Sequence, residues 1–423
     1  MLTRLEIENY KSLRSVNVAL PKFSAMVGPN AAGKTNFADA IDFLSIVAKS
    51  GLPEAITAKG GYDNLCFRRA RRAKGAIRFS LQLDGIELPY ESEVGEYRLT
   101  YSFSFRPGGP KIRSEIRVVA ESLLVERCQK DSWEYFLNMT KKGESCSVGK
   151  GANPVATNVL LQLQKYLEPG WRKWIVKKRD LFILSQLRGI EPFASLNDSI
   201  VSFRLFQVLP NSARQPAAGT GSREMGKYGD NLPAALDTLR REHPEQFESL
   251  LRFLQLAVPT VEKLKLQYAP TRELGIYLKE KGMSRDLYSA ELSDGTLRAI
   301  ALFLPIVDPR YSVVVIEEPE NCIHPWVIRQ FVDACRESAT SSGKQILLTT
   351  HSPVLVSKLK PEELLLVDRE DGQTAIRPAT AVEQGLEQVI RQGIMDLGSY
   401  WDSGAMKAVP AQPTLFEEAS KED

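Results

Sequence analysis

Two adjacent carboxylates, Glu317 and Glu318, follow the run Val313-Val314-Val315-Ile316 and stand directly before Pro319. Four β-branched residues in a row predict a strand buried on both faces, as in a parallel sheet. Carboxylates at the C-terminal end of such a strand lie where open α/β sheets place their ligands. Far upstream, Gly28-Pro29-Asn30-Ala31-Ala32-Gly33-Lys34-Thr35 matches the G-x-x-x-x-G-K-[ST] pattern in full. Glycines at both ends let backbone N–H groups turn inward around phosphate oxygens, and a following helix N-terminus adds a favourable dipole. In that chemistry the Lys34 ammonium reaches the β- and γ-phosphates and the Thr35 hydroxyl ligates Mg²⁺. The two motifs in this order predict a site for a nucleoside triphosphate with Mg²⁺. The candidate nucleotide-binding stretch runs from Gly28 through Asn36.

These residues need elements to hold them. Phe23–Gly28 (FSAMVG) has the composition of a short buried strand, and the residues from Thr35 onward (TNFADAIDFLSIVA) have the period of a helix. The bland alternative, a glycine-rich strand-to-helix turn that binds nothing, has no use for a carboxylate strand downstream. Leu292-Ser293-Asp294-Gly295-Thr296 sits at a loop-to-helix junction just before that strand. Ser293 offers a hydroxyl and Gly295 permits close backbone approach, so both are candidate phosphate contacts; alone, Ser293 would read as an ordinary N-cap. Lys344–Ser352 (KQILLTTHS) predicts another buried strand, ending in His351. Of the three histidines, His243, His324 and His351, only His351 stands at the end of a predicted parallel strand, one strand after the carboxylates. His324 reads as a cap or packing residue of the turn after Glu318.

Elsewhere, LTRLEIENY at the N-terminus alternates, and AIRFSLQLD, RLTYSFSF and EIRVVAESLLVE predict an antiparallel sheet flanking the nucleotide core. Residues 152–195 turn helical in period, 210–230 are the most loop-like, and helices resume at NLPAALDTLRRE and PEQFESLLRFLQLA. The expected division is 1–150 as an N-terminal lobe with the phosphate loop, 151–256 as a helical insertion, 257–409 as a C-terminal lobe, and 410–423 as a frayed tail.

Composition sets limits. The chain has 423 residues and a formal net charge of +3, so bulk charge does not announce a nucleic-acid binder. Its five cysteines are scattered with no C-x-x-C pair, the pattern of reduced thiols rather than of disulfides or a zinc site. The N-terminus carries no apolar h-region, and no apolar run reaches a membrane-spanning length, so a cytoplasmic protein without a membrane partner is expected. One basic run, Arg68-Arg69-Ala70-Arg71-Arg72-Ala73-Lys74, could meet nucleic-acid phosphates or be a solvated or acid-pairing loop face; no interleaved aromatics support base stacking.

Taken together, the phosphate loop, LSDGT, VVVIEEPENCIHP and LLTTHSP resemble the ABC-type ATPase heads of the SMC/RecF/OLD group, most closely the stand-alone bacterial ATPases with an EPE-x-x-x-HP run. The opening LEIENYKSL is similar to the first strand of those heads. The resemblance implies a P-loop α/β fold: an ABC-ATPase head with a mixed or parallel core sheet, a flanking antiparallel sheet and a short helical insertion. It implies that Lys34 and Thr35 bind phosphate and Mg²⁺, that Glu317 helps hold the metal, and that Glu318 polarises the attacking water. It further implies that His351 senses the γ-phosphate, while Ser293 and Gly295 contact nucleotide bound to a second subunit. Two residues depart from the pattern. Glu317 stands where the parent pattern has Asp, and Asp294 replaces a glycine, placing a negative charge near a triphosphate; both suit slow turnover. Gln186 is the one weak candidate for the glutamine loop.

No sustained heptads occur between Gly28 and Ser293, so a long coiled-coil arm is not expected. The residues after His351 are too few for a fused Toprim nuclease and contain no D-x-D, so any effector is expected on a separate chain. The leading expectation is an ATP-hydrolysing switch that forms a two-fold dimer or higher assembly and controls a nuclease or toxin-like effector in bacterial anti-phage defence. The alternative is a repair or recombination ATPase that binds DNA directly. A transporter subunit is disfavoured, because EPENCIHP and LSDGT differ from transporter motifs.

Overall fold

The computed structural model describes residues 1–67, 75–88, 96–109, 115–129, 132–142, 145–150, 191–218, 223–269, 272–382 and 396–404. The chain divides into two units. One is built from Met1–Pro21, Asn36–Arg204 and Asp371–Thr374, the other from Lys22–Thr35, Leu205–Glu370 and Ala375–Asp423.

The first unit is organised by a seven-stranded antiparallel sheet in the spatial order Leu13–Ala19, Leu2–Tyr10, Ile77–Ile86, Tyr97–Pro107, Ile116–Gln129, Ser132–Lys142 and Ser145–Lys150. Its alternating sequences bury one face, as in Ile77–Ile86, where Ile77, Phe79, Leu81 and Leu83 point inward. That face carries a file of rings: Phe43 stacks on Phe79 at 5.5 Å, and Phe79 on Phe103 at 5.3 Å. The three alternating segments expected as a flanking sheet are its central strands. The next two strands were not singled out, since their exposed faces blur the alternation.

The second unit contains the six-stranded sheet that positions the candidate chemistry. Its order is Gln373–Pro378, Leu364–Glu370, Phe23–Val27, Gln345–Thr350, Val313–Glu317 and Phe203–Phe206. The four middle strands are mutually parallel. Phe23–Val27, Val313–Glu317 and Gln345–Thr350 are buried at every position, which explains why their sequences are continuous apolar runs rather than alternations. In register, Glu317 pairs with Thr349 and Thr350 with Val27, so the strand ends carrying the motifs are level with one another. The expected α/β P-loop fold, with a parallel core sheet and a separate antiparallel sheet, is the fold observed.

Helices complete this core. In Asp294–Val307 every residue from Leu297 to Val307 is buried. Phe303 of that helix lies 6.0 Å from Phe253 of Pro244–Ala257 and 5.9 Å from Phe331 of Pro325–Ser341, ring to ring. The C-terminal end of Asp294–Val307 is held by Lys344, which is 3% exposed. Its ammonium donates to the Pro305 carbonyl at 3.1 Å and to the Asp308 carbonyl, a favourable place for a cation at a helix C-terminus. A hairpin of Val261–Tyr268 and Glu273–Glu280, flanked by Ala217–Ala218 and Leu287–Tyr288, leads the chain toward Ser293. The stretch expected as a helical insertion lies partly outside the described residues. Its described part supplies Phe203–Phe206 to the core sheet and the helices Leu232–Glu242 and Pro244–Ala257. No helix among the described residues is long and apolar enough to cross a membrane.

Candidate active site

The loop after Val27 turns through two positions with left-handed backbone, Ala31 at φ 63° and Gly33 at φ 115°. Gly28 is required by packing: a Cβ there would lie 2.0 Å from the Val367 carbonyl oxygen of the neighbouring strand. Lys34 is 6% exposed and folds back over the loop, its ammonium donating to the Gly28 carbonyl at 2.6 Å and the Pro29 carbonyl at 3.0 Å. Burial lowers its pKa, against which the carboxylates of Glu318, Glu320 and Glu317 act. The helix Lys34–Ser50 starts here with no acidic residue in its first turn, leaving its positive end uncompensated. Asn36, with which the chain re-enters the other unit, donates its side-chain amide to Ser12 Oγ of that same unit at 2.7 Å.

Glu317 is buried on its strand, opposite Thr349. Glu318 leaves the strand with left-handed backbone, φ 45°, its N–H donating to the Thr349 carbonyl at 2.9 Å. A non-glycine residue held there costs on the order of 1–3 kcal/mol and persists only where its surroundings impose it. Arg298 is one such constraint: it is 4% exposed and donates Nη2 to the Glu318 carbonyl at 2.7 Å, although burial lowers its own pKa. The Glu318 carboxylate accepts from Asn321 Nδ2 at 2.8 Å on Oε2, and its Oε1 lies 3.3 Å from His351 Nδ1. Both side chains are partly solvent-accessible.

A third carboxylate stands behind this pair. Glu320 Oε1 accepts from Thr350 Oγ1 at 2.5 Å and from the His351 N–H at 3.3 Å. Glu320, His351 and Ser352, with Ile323, Ile328 and Val354 among the apolar residues, line a pocket of about 330 Å³.

Ser293 caps the helix Asp294–Val307, accepting the Thr296 N–H on its hydroxyl at 3.1 Å. Its capping role and exposure on the surface coexist. Gly295 lies against the turn after the carboxylates, where a Cβ would meet the Cys322 carbonyl oxygen at 3.3 Å. The charge of Asp294 is compensated: Arg214 Nη2 donates to Asp294 Oδ1 at 2.5 Å, while Nη1 donates to the Ser289 and Leu292 carbonyls at 2.7 and 2.9 Å. His324 is the N-cap of Pro325–Ser341, its Nδ1 accepting the Trp326 N–H at 3.2 Å.

The structure thus brings the phosphate loop, Glu317, Glu318 and His351 to neighbouring ends of one parallel sheet. Arg214, Arg298 and Glu320 escaped the sequence reading. Glu320 lies inside the carboxylate motif and Arg298 two residues beyond LSDGT, so both stood close to recognised positions, whereas Arg214 lies in a loop far from its partner. Gln186, the basic run 68–74, most of the helical-period stretch and the tail lie outside the described residues. Among the described residues no group of three or more His, Cys, Asp or Glu side chains could by itself hold a metal ion.

Against known proteins, residues 23–357 match the family described as "AAA domain, putative AbiEii toxin, Type IV TA system". An OLD nuclease of Thermus scotoductus is 23% identical across 99% of this chain and 71% of its own length. A structural maintenance of chromosomes protein 1 of Schizosaccharomyces pombe is 33% identical over 28% of the chain, which spans only 10% of that protein. Among solved structures, an SmcHead bound to the C-winged helix domain of ScpA superposes with a TM-score of 0.49 at 14% identity, covering 92% of this chain and 99% of that one. The chain belongs to the AAA-domain family so described, in keeping with the ATPase-head resemblance its motifs carry.

Proposed function

We propose that this ATPase head binds ATP with Mg²⁺, hydrolyses it slowly, and closes with a second copy of itself to control a separate effector in bacterial defence. The observation that carries the reading is the alignment of Val27, Glu317 and Thr350 in adjacent parallel strands, with Glu318 and His351 3.3 Å apart just beyond them. In this reading Lys34 exchanges its two carbonyl acceptors for β- and γ-phosphate oxygens. Thr35 and Glu317 offer hard oxygen donors suited to Mg²⁺, which takes its other ligands from phosphates and water and supplies charge neutralisation when bound. Glu318 accepts the proton of the attacking water and His351 contacts the γ-phosphate. Ser293 and Gly295 serve nucleotide held by the facing copy. A glutamate at Glu317, one methylene longer than aspartate, supports slow turnover.

The family's toxin–antitoxin description and the OLD nuclease relative support coupling of this ATPase to an effector that cleaves or poisons; in this reading the effector is a separate chain in the cytoplasm. Steady-state phosphate release tests the chemistry. Glu318→Gln keeps the shape and the Asn321 contact but cannot accept the proton, so ATP binding should persist while turnover falls by about 10²-fold or more. Wild-type turnover in that variant would move the base elsewhere, with Glu317 next in line. Stimulation of the wild-type enzyme by DNA, with no effector present, would favour the direct DNA-binding role instead.

A further inference from the structure

We propose that Glu320 is a positioning residue for His351, fixing the imidazole beside Glu318 through the hydrogen bonds its carboxylate accepts; this rests on the reading of His351 as the γ-phosphate contact. The Glu320 side chain is 10% exposed. One oxygen is fully used: Oε1 takes the Thr350 hydroxyl at 2.5 Å and the His351 N–H at 3.3 Å. The other, Oε2, is buried with no hydrogen-bond partner.

A buried carboxylate with one idle oxygen is costly, because desolvation penalises the charge and only half of its acceptor capacity is filled. Fold stability alone gives no reason to keep such a group in a tight turn, where a neutral side chain would be cheaper. What the Oε1 acceptor achieves is local. It bridges the turn after one parallel strand and the turn after the next, which carry Glu318 and His351 respectively. It also orders the second turn beyond its own contacts, since Thr350 Oγ1 accepts the Ser352 N–H at 3.0 Å.

The imidazole itself is poorly restrained. His351 Nδ1 makes no hydrogen bond, lying 3.3 Å from Glu318 Oε1 and 4.0 Å from Glu320 Oε1, and the side chain is 42% exposed. A ring so exposed is aimed mainly by its backbone, and that backbone is held by Glu320. A bond to Oε1 is what positioning requires, so an amide that keeps an acceptor oxygen should suffice, whereas a methyl should not.

The test is a double-mutant cycle on ATP turnover with ATP affinity measured alongside. Glu320→Ala should lower kcat by about 10- to 100-fold, the range typical of outer-shell partners, with ATP affinity within about 3-fold of wild type. Glu320→Gln should recover most of kcat. Because Glu320 acts through His351, adding Glu320→Ala to His351→Ala should cost little beyond His351→Ala alone. Multiplying effects, wild-type kcat in Glu320→Ala, or a Glu320→Gln as slow as Glu320→Ala would each overturn the proposal. If His351→Ala itself turns over at the wild-type rate, the underlying assignment of His351 fails, a result distinct from failure at Glu320. Should Glu320→Ala not fold, the Gln variant and its cycle with His351→Ala carry the same decision: wild-type-like kcat with intact affinity is required.

Discussion

Arg214 and Asp294 form an ion pair at 2.5 Å that joins a loop to the first residue of the helix Asp294–Val307, some 80 positions away in sequence. The acidic residue that replaces a glycine of the transporter signature is therefore not a bare negative charge, and the same guanidinium fixes the Ser289 and Leu292 carbonyls in the stretch that leads into Ser293.

Asp294 is 58% exposed, so this pair contributes only about 0–1 kcal/mol to stability and melting is the wrong readout. Its effect should appear in activity. Arg214→Ala is expected to reduce ATP-driven dimer formation and turnover by about 10-fold, leaving an uncompensated acid where a triphosphate must approach. Adding Asp294→Asn should restore part of the loss. A double variant no better than Arg214→Ala in sedimentation and phosphate-release assays would rule out the electrostatic account.

Lys34→Ala should abolish nucleotide binding, since the buried cation assigned above to the β- and γ-phosphates is lost. Equilibrium binding of a labelled ATP analogue checks this; unchanged affinity would sink the phosphate-loop assignment. Folding should be checked alongside, because the Gly28 carbonyl released from Lys34 is buried while that of Pro29 is partly exposed.

The shared-site geometry has its own test. Ser293→Arg should leave ATP binding to the single chain nearly intact while blocking closure and hydrolysis. In a mixture with Lys34→Ala protein, one composite site carries both lesions and the other neither, so some activity should return. If heterodimers form and no activity returns, each chain works with a site of its own and the two-fold arrangement is wrong.

Lys344 predicts a pH effect. Burial pulls its pKa down to about 7, with Asp308 opposing and Arg310 reinforcing the shift. An unfolded lysine titrates near 10.4, so between those values the unfolded chain binds more protons and this group makes stability rise with pH. Its contribution is lost as pH falls from about 10.4 to about 7 and is flat below that. Lys344→Met removes the titration, so the stability difference, wild type minus variant, should grow by up to about 1.4 kcal/mol per pH unit across the window. A pH-independent difference in urea midpoints between pH 7.5 and 9.5 would show that Lys344 stays charged in the folded protein.

The parallel core was legible because its strands are buried on both faces, and burial writes itself as uninterrupted apolar letters in VVVI and ILL. The phosphate loop was legible for a different reason: backbone wrapping around phosphate demands glycine at fixed spacing, and Gly28 also answers to the Val367 carbonyl. What the sequence could not display were contacts made at long separation. Arg214 meets Asp294, and Lys344 meets the Pro305 carbonyl, only after the sheet has assembled. The hairpin Val261–Tyr268 and Glu273–Glu280 was hidden because its charged outer face interrupts the apolar pattern. Glu320 was overlooked for a subtler reason: a third carboxylate in an acidic run looks like solvated surface until its burial is seen.

The bond from Arg298 to the Glu318 carbonyl ties a helix whose first turn bears Ser293 and Gly295 to the backbone of the residue assigned to water activation. Linkage makes such a tie work in both directions. Any molecule that docks more tightly on one placement of that helix must favour the matching placement of Glu318 by the same free energy, and a substrate that selects a placement of Glu318 must bias the helix equally. Occupancy on one face and readiness on the other are then two measurements of a single equilibrium, so a change at Arg298 should uncouple them before it weakens either.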